Sequence, residues 1–253
     1  MDTVAFAVGV AVFAFGAGVF GLWLHVRLPE KHAPDRAREM IGAMTGLIGL
    51  LLALVLGTLV GSSYTLYATQ KAELETLAAK MLQLDEALEA YGPDAQLARD
   101  GLHKAVRQTY DKIWGSETAN LADLNIKTVV DGSKMLDQFL MSLSPKADAQ
   151  KQVLATANAA ATQIAQTRLL MMLQLAGGIP WPMLSIVICW SLLLFCGYGL
   201  VSPINATVIV TLGLGAVAVA SAIFLIIELS EPYSGWFKIP SAGMAATLQA
   251  LGA

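Results

Sequence analysis

Residues 40–93 read MIGAMTGLIGLLLALVLGTLVGSSYTLYATQKAELETLAAKMLQLDEALEAYGP, and this stretch decides the fold. From Met40 to Ser63 it holds no charged side chain, and its length suits a membrane span of about 20 residues. Small residues recur along it at helical spacing: Gly42, Gly46, Gly49, Ala53, Gly57 and Gly61. Glycine is costly in a water-exposed helix, but in lipid it lets two backbones approach closely, so the stripe reads as a helix-packing face. Beyond Ser63 the period persists while the composition changes. Leu74, Leu77, Met81, Leu84 and Leu88 are spaced 3, 4, 3 and 4, an a/d seam, with Lys71, Glu73, Glu75, Lys80 and Glu86 on other faces. One long helix is therefore expected to leave the membrane and continue in water until Gly92-Pro93 stops it.

The same contrast divides the whole chain. Of its 253 residues 56% are hydrophobic and only 14% charged, against about 25% charged in soluble domains. The charge is concentrated between Thr69 and Arg168, at ordinary density, and nearly vanishes elsewhere. A first span is expected over 4–26. It is too long for the roughly 7–15-residue core of a signal peptide and follows Asp2 rather than a basic segment. Pro180-Trp181-Pro182 opens a third span over about 183–197, with Gly197 to Val201 turning the chain, and Ser202-Pro203 reads as cap and first turn of a fourth over about 204–229. Between the spans, helices are expected over 94–114, 128–143 and from Ser144-Pro145 to Ala176, where Gly177-Gly178 intervenes.

The expected fold class is thus an all-α integral membrane protein. Four transmembrane helices form two hairpins, and the inserted helical-bundle domain is built partly from extensions of the second and third spans. The domains are a first hairpin at 1–66, a water-exposed helical domain at 67–178, a second hairpin at 179–230 and an interfacial C-terminal tail at 231–253, with Tyr233, Trp236 and Phe237 as anchors at the headgroup level.

Catalytic chemistry finds no support. His25, His32 and His103 are scattered, the first two bordering the membrane and the third on a surface helix facing solvent. No HExxH, CxxC, Walker A or GxSxG pattern occurs, and no enzyme, metal or cofactor is expected. The net charge of -3 carries no basic stripe for nucleic acid. Cys189 and Cys196 lie too far apart on one helix for a disulfide, and read as small packing residues. Driven transporters keep ionisable groups at membrane depth. Here only Glu228 approaches it, and Glu228 with Glu231 reads either as interfacial or as carboxylates at a pore mouth.

The landmarks resemble the bacterial bestrophin-like membrane family, a domain family of unknown function. They are Leu28-Pro29-x-x-His32, Arg38-Glu39-x-x-Gly42, the Gly- and Leu-rich run to Gly57, Arg168-Leu169-Leu170, and the tail Glu228-Leu229-x-x-Pro232-Tyr233-Ser234-Gly235 with Ile239-Pro240. The resemblance covers nearly the whole chain, with Glu231 and Tyr233 where the family commonly has Asp and Phe. It implies a distant kinship with bestrophins, pentameric anion channels whose second span lines the pore. No match to their calcium clasp or aromatic neck is present, so no pore residue carries over.

The expected function is a homo-oligomeric, passive ion channel with a hydrophobic constriction near the second span. The rival reading is a non-conducting scaffold whose helical domain binds a protein partner. The location expected is a bacterial cytoplasmic membrane, the lipid bilayer and further copies of the chain being the partners. Arg27, Lys31, Arg36 and Arg38 crowd one short loop, which the positive-inside rule places in the cytoplasm, with the helical domain outside. The bestrophin resemblance implies the opposite side, and the charge pattern is followed here.

Overall fold

The computed structural model describes residues 3–27, 35–115, 126–179 and 181–252; within these, the side chains of 35 and 126–130 are not described. Among the described residues the regular structure is helical, with no strand. The helices are α1 (Thr3–Arg27), α2 (Asp35–Tyr91), α3 (Gln96–Trp114), α4 (Ile126–Ser142), α5 (Asp148–Ala176), α6 (Trp181–Val201), α7 (Ala206–Ser230) and α8 (Ala242–Leu251). Four helical stretches are long and apolar enough to cross a membrane, those containing α1, α2, α6 and α7.

The chain divides into two compact units, one of residues 1–66 and 179–230, the other of 67–178 and 231–253. In the first, α1 packs along both α6 and α7. Its core includes Ala14, Leu22, Leu184, Val187 and Ile223, with Leu52 and Leu59 from α2. Burial is one-sided. Phe13, Leu50, Leu54, Leu193 and Leu214 are more than half exposed, and helices apolar on their outward faces are what lipid, rather than water, would accommodate.

The apolar period of α2 has a physical outcome in its length, 57 residues without interruption. Gly92, at a φ of 108°, ends it, and a single 3-10 turn over Pro93–Ala95 leads into α3. In the second unit the seam Leu74, Leu77, Met81, Leu84 and Leu88 is buried against Val106 and Ile113 of α3 and Ala157, Ala161 and Ile164 of α5. The C-terminal segment lies in this same unit. Tyr233, Ile239, Met244 and Leu251 complete its core, and the indole N–H of Trp114 donates to the Ile239 carbonyl at 3.0 Å. Tyr233 is therefore a core residue at 3% exposure, whereas Trp236 and Phe237 are exposed. Helix α8, not expected from the sequence, starts at Ala242, two residues after Pro240.

Three expected boundaries move. The third helix begins at Trp181 and runs through Gly197 and Gly199 to Val201, because these glycines meet neighbouring helices instead of opening a turn. The cap of α7 is Asn205, whose Oδ1 accepts the Val208 N–H at 2.8 Å, and not Ser202-Pro203. Helix α5 begins at Asp148 rather than at Pro145, after an extended Ala147.

Candidate functional site

The apolar half of α2 is the natural place to seek function, and the structure splits its glycine stripe in two. Gly49 faces α6: a Cβ there would stand 3.2 Å from Leu194 Cδ1. Thr45 abuts Gly197, and Leu52, Leu59 and Ser63 are buried on the same side, Ser63 Oγ lying 3.2 Å from Ser230 Oγ of α7. A Cβ at Gly42, Gly46, Gly57 or Gly61 would meet nothing within 4 Å, and Ala53 is exposed. Next to these stand exposed Met40, Met44, Leu47, Leu50, Leu51 and Leu54. One face of α2 is thus used inside the chain, with Gly42 at its open end, and the face carrying Gly46, Gly57 and Gly61 is left uncovered by it.

Close backbone packing occurs instead between α1 and α6. A Cβ at Gly21 would overlap the carbonyl oxygen of Cys196 and lie 3.0 Å from the Leu200 nitrogen. One at Gly199 would overlap the Gly18 carbonyl oxygen and lie 2.9 Å from the Leu22 nitrogen. The His25 ring, one turn on, donates from Nδ1 to the Leu200 carbonyl at 2.7 Å. Small residues at 14, 18 and 21 on α1, and at 199 on α6, were the sequence signal for this contact. Cys189 is exposed and Cys196 half-buried, so only the second contributes to packing.

In the second unit, two polar clusters escaped sequence reasoning. The first continues the α2 seam one step towards the N-terminus, at Gln70, which is fully buried. Its Nε2 donates to Gln174 Oε1 at 2.6 Å and, more weakly, to the Met171 carbonyl at 3.3 Å, while its Oε1 accepts from the Tyr233 hydroxyl at 3.1 Å. Gln174 Nε2 donates in turn to Glu73 Oε1 at 2.8 Å, and Glu73 Oε2 is buried with no hydrogen-bond partner among the described residues. Burial, and then the charge of Glu73, push the Tyr233 pKa well above its usual value, so the phenol stays protonated and remains a donor. The second cluster sits where α2 meets α3. Arg99 grips Asp85 through Nε at 2.8 Å and Nη2 at 3.0 Å, and Nη2 also reaches Glu89 at 2.8 Å. His103 Nε2 lies 2.7 Å from Asp85 Oδ1, so this histidine is paired and not merely solvated. Burial alone would raise the Asp85 pKa, but hydrogen bonds from Arg99 and His103, with their charge, hold it below the usual carboxylate range.

Of the loop cations, Arg27 lies over the Trp23 ring at 5.0 Å from its centre, Arg36 and Arg38 are exposed, and Lys31 lies outside the described residues, as does His32. Glu228 is buried at the end of α7, at 3% exposure. Glu231 is exposed and accepts a hydrogen bond from Ser234 Oγ at 3.0 Å. Among the described residues no group of three or more His, Cys, Asp or Glu side chains is placed to hold a metal ion.

A protein whose described residues form only helices, four of them apolar and of membrane length, with a separate helical unit, is the class these observations define. A family model described as bestrophin-like domain matches residues 12–244. The chain belongs to the bestrophin-like domain family. No curated protein and no solved structure matches it significantly.

Proposed function

We infer that the protein is a homo-oligomeric membrane channel, passively conducting, in which the second helix lines or flanks the central axis. The observation that carries this reading is the divided face of α2. Thr45, Gly49, Leu52 and Leu59 bury one side within the chain, while Gly46, Gly57 and Gly61 are left open beside Leu47, Leu50, Leu51 and Leu54. Glycines with no neighbour in their own chain fit close approach by another copy. The bulky residues beside them would form a hydrophobic constriction, which can gate by dewetting. Family membership supports the direction of the inference. Glu228 and Glu231 are proposed as interface or pore-mouth carboxylates, and the Arg27–Arg38 segment as the cytoplasmic loop.

A scaffold function has its own support. Leu97 on α3, and Met135 and Met141 on α4, are each more than 70% exposed on the helical unit and would suit a protein partner. Reconstitution in a planar bilayer separates the two. A channel gives discrete conductance steps that change when Leu54 is replaced by Thr. Silent bilayers containing correctly assembled oligomer would favour the scaffold. Gly57→Leu tests assembly directly: it leaves the single chain undisturbed, so its expected effect is loss of the oligomer by light scattering.

A further inference from the structure

The first unit contains a cavity of about 570 Å³. Its floor is α6, through Leu194 and Phe195; one wall is α2, through Gly49 and Ala53; the other is α7, through Gly215 and Ala218. The space exists because both walls carry small residues where large ones would fill it. Its polarity is graded. Ser202 and Thr207 flank the α6–α7 turn, Tyr198 and Thr211 come one turn deeper, and the rest of the lining is apolar. The hydroxyls of Tyr198, Ser202 and Thr207 make no hydrogen bond to described residues, whereas Thr211 Oγ1 is satisfied by the Thr207 carbonyl.

A cation extends this gradient. Arg38 shares a helical face with Gly42, Thr45, Gly49, Leu52 and Leu56, at spacings of 4, 3, 4, 3 and 4, so it lies on the cavity side of α2. Thr45 opposes Gly197 on the antiparallel α6, so helical register brings residue 40 about level with Ser202 and Arg38 about 3 Å further along the axis. Arg38 is exposed and has no ion partner among the described residues; the neighbouring Glu39 lies about 100° away around the helix. Charge, hydroxyls and hydrocarbon surface thus follow one another along the axis, with Arg38 standing beyond the end of the cavity lining.

We propose that this groove binds one phospholipid molecule, with an acyl chain between α2 and α7 and its phosphodiester held by Arg38, Ser202 and Thr207. The graded polarity selects this occupant over a helix from a second copy: a cation and free hydroxyls at one end with apolar surface beyond them match an anionic amphiphile end to end. From Val208 to Val219 the groove runs about 16 Å at the rise of an α-helix, long enough to take much of an acyl chain. The small residues on both walls allow close contact along an acyl chain. The guanidinium can take two phosphate oxygens at once, and the free hydroxyls supply donors beside it. The proposal rests on membrane insertion of α1, α2, α6 and α7, and not on conduction.

The test uses the full-length protein extracted in mild detergent, with palmitoyl-oleoyl phosphatidylglycerol or the matching uncharged diacylglycerol added back. Native mass spectrometry counts lipids retained per chain. About one phosphatidylglycerol per chain is expected, with at least fivefold less diacylglycerol. Ala218→Phe, at an exposed position, fills the groove and should cut retention at least fivefold, with Ala53→Leu as the milder filling variant should the first fail to fold by circular dichroism. Arg38→Gln should abolish the preference for phosphatidylglycerol over diacylglycerol. Retention unchanged by both filling variants overturns the proposal. So does an intermolecular disulfide formed efficiently between Ala53→Cys and Ala218→Cys chains, which would put a second copy in the groove. Protein that stays soluble without detergent overturns membrane insertion itself, and with it this site; a lipid-free membrane protein overturns only the site.

Discussion

Replacing Gly199 by alanine adds a single methyl group, yet the geometry makes it one of the most damaging small changes available. The new Cβ would overlap the Gly18 carbonyl and press on Leu22 N and Gly21 Cα, at 2.9 and 3.0 Å, all backbone atoms of α1 that have no rotamer to change. Relief requires the helices to part by about 1 Å, and a gap of that order forfeits a quarter to a half of the dispersion well at each contact it opens. Overpacking of this kind costs about 1–3 kcal/mol. The separation also lengthens the 2.7 Å hydrogen bond from His25 to Leu200, worth about 1 kcal/mol. A total near 2–4 kcal/mol corresponds to roughly 5–15 °C in melting temperature for a chain of this size. The assay is thermal unfolding in detergent followed by tryptophan fluorescence. Gly57→Ala is the control, since its methyl group meets nothing within 4 Å in the chain. It should be measured below the concentration at which chains associate. Equal melting temperatures for Gly199→Ala and Gly57→Ala would refute the α1–α6 backbone contact.

Four further outcomes are expected. Asp85→Asn should lose about 1.5–3 kcal/mol at neutral pH, because charged hydrogen bonds to Arg99 and His103 are weakened. The Asp85 pKa is depressed on folding, so its contribution is present above the unfolded value of about 3.9 and fades as pH falls through the folded one. The gap between wild type and Asp85→Asn should therefore close in acid, as read by urea unfolding against pH. Tyr233→Phe should cost about 1–2 kcal/mol by the same measurement, since it removes the hydroxyl donor to buried Gln70. Asn205→Ala should cost about 1 kcal/mol through loss of the α7 cap, and Asn205→Asp should restore most of it in a thermal melt. In a chain with both native cysteines changed to serine, Lys146→Cys places a thiol at an exposed site of the helical unit. Labelling of intact cells by an impermeant maleimide is expected; labelling only after lysis would put the unit in the cytoplasm.

Helix identity was legible in this sequence because the period of apolar residues survives the change of solvent. Leu74 to Leu88 announces a buried seam as plainly as Met40 to Ser63 announces an apolar helix, and the structure buries the whole of that seam. Contact partners were less legible. Glycines on α2 drew attention because they form a stripe, but spacing alone does not say which stripe meets a neighbour, and the tight contact belongs to Gly18, Gly21 and Gly199. Gly197 and Gly199 were read as a turn because glycine ends helices in water; pressed against Thr45 and α1 they stay helical. The cap at Asn205 was masked by Ser202-Pro203, a motif of the same kind three residues earlier. Gln70 escaped because a polar residue interrupts an apolar pattern, and only the fold shows that Gln174 and Tyr233 are there to receive it.

That buried glutamine acts like a key in a lock of otherwise interchangeable teeth. Leucine and methionine seams tolerate sliding by a heptad, since one apolar knob fills a hole much as another does. Gln70 stands at a seam position where only one alignment of α2 with α5 offers both the Met171 carbonyl and the Gln174 amide, and only one placement of the C-terminal segment offers the Tyr233 hydroxyl. Any slipped pairing would strand a dry amide at a cost of about 1–3 kcal/mol, a discrimination the apolar side chains do not provide. A chain shortened by seven residues in α2 beyond Leu74, with a matching heptad removed from α5 before Ile164, should therefore still align itself, because the tooth that sets the register would be untouched.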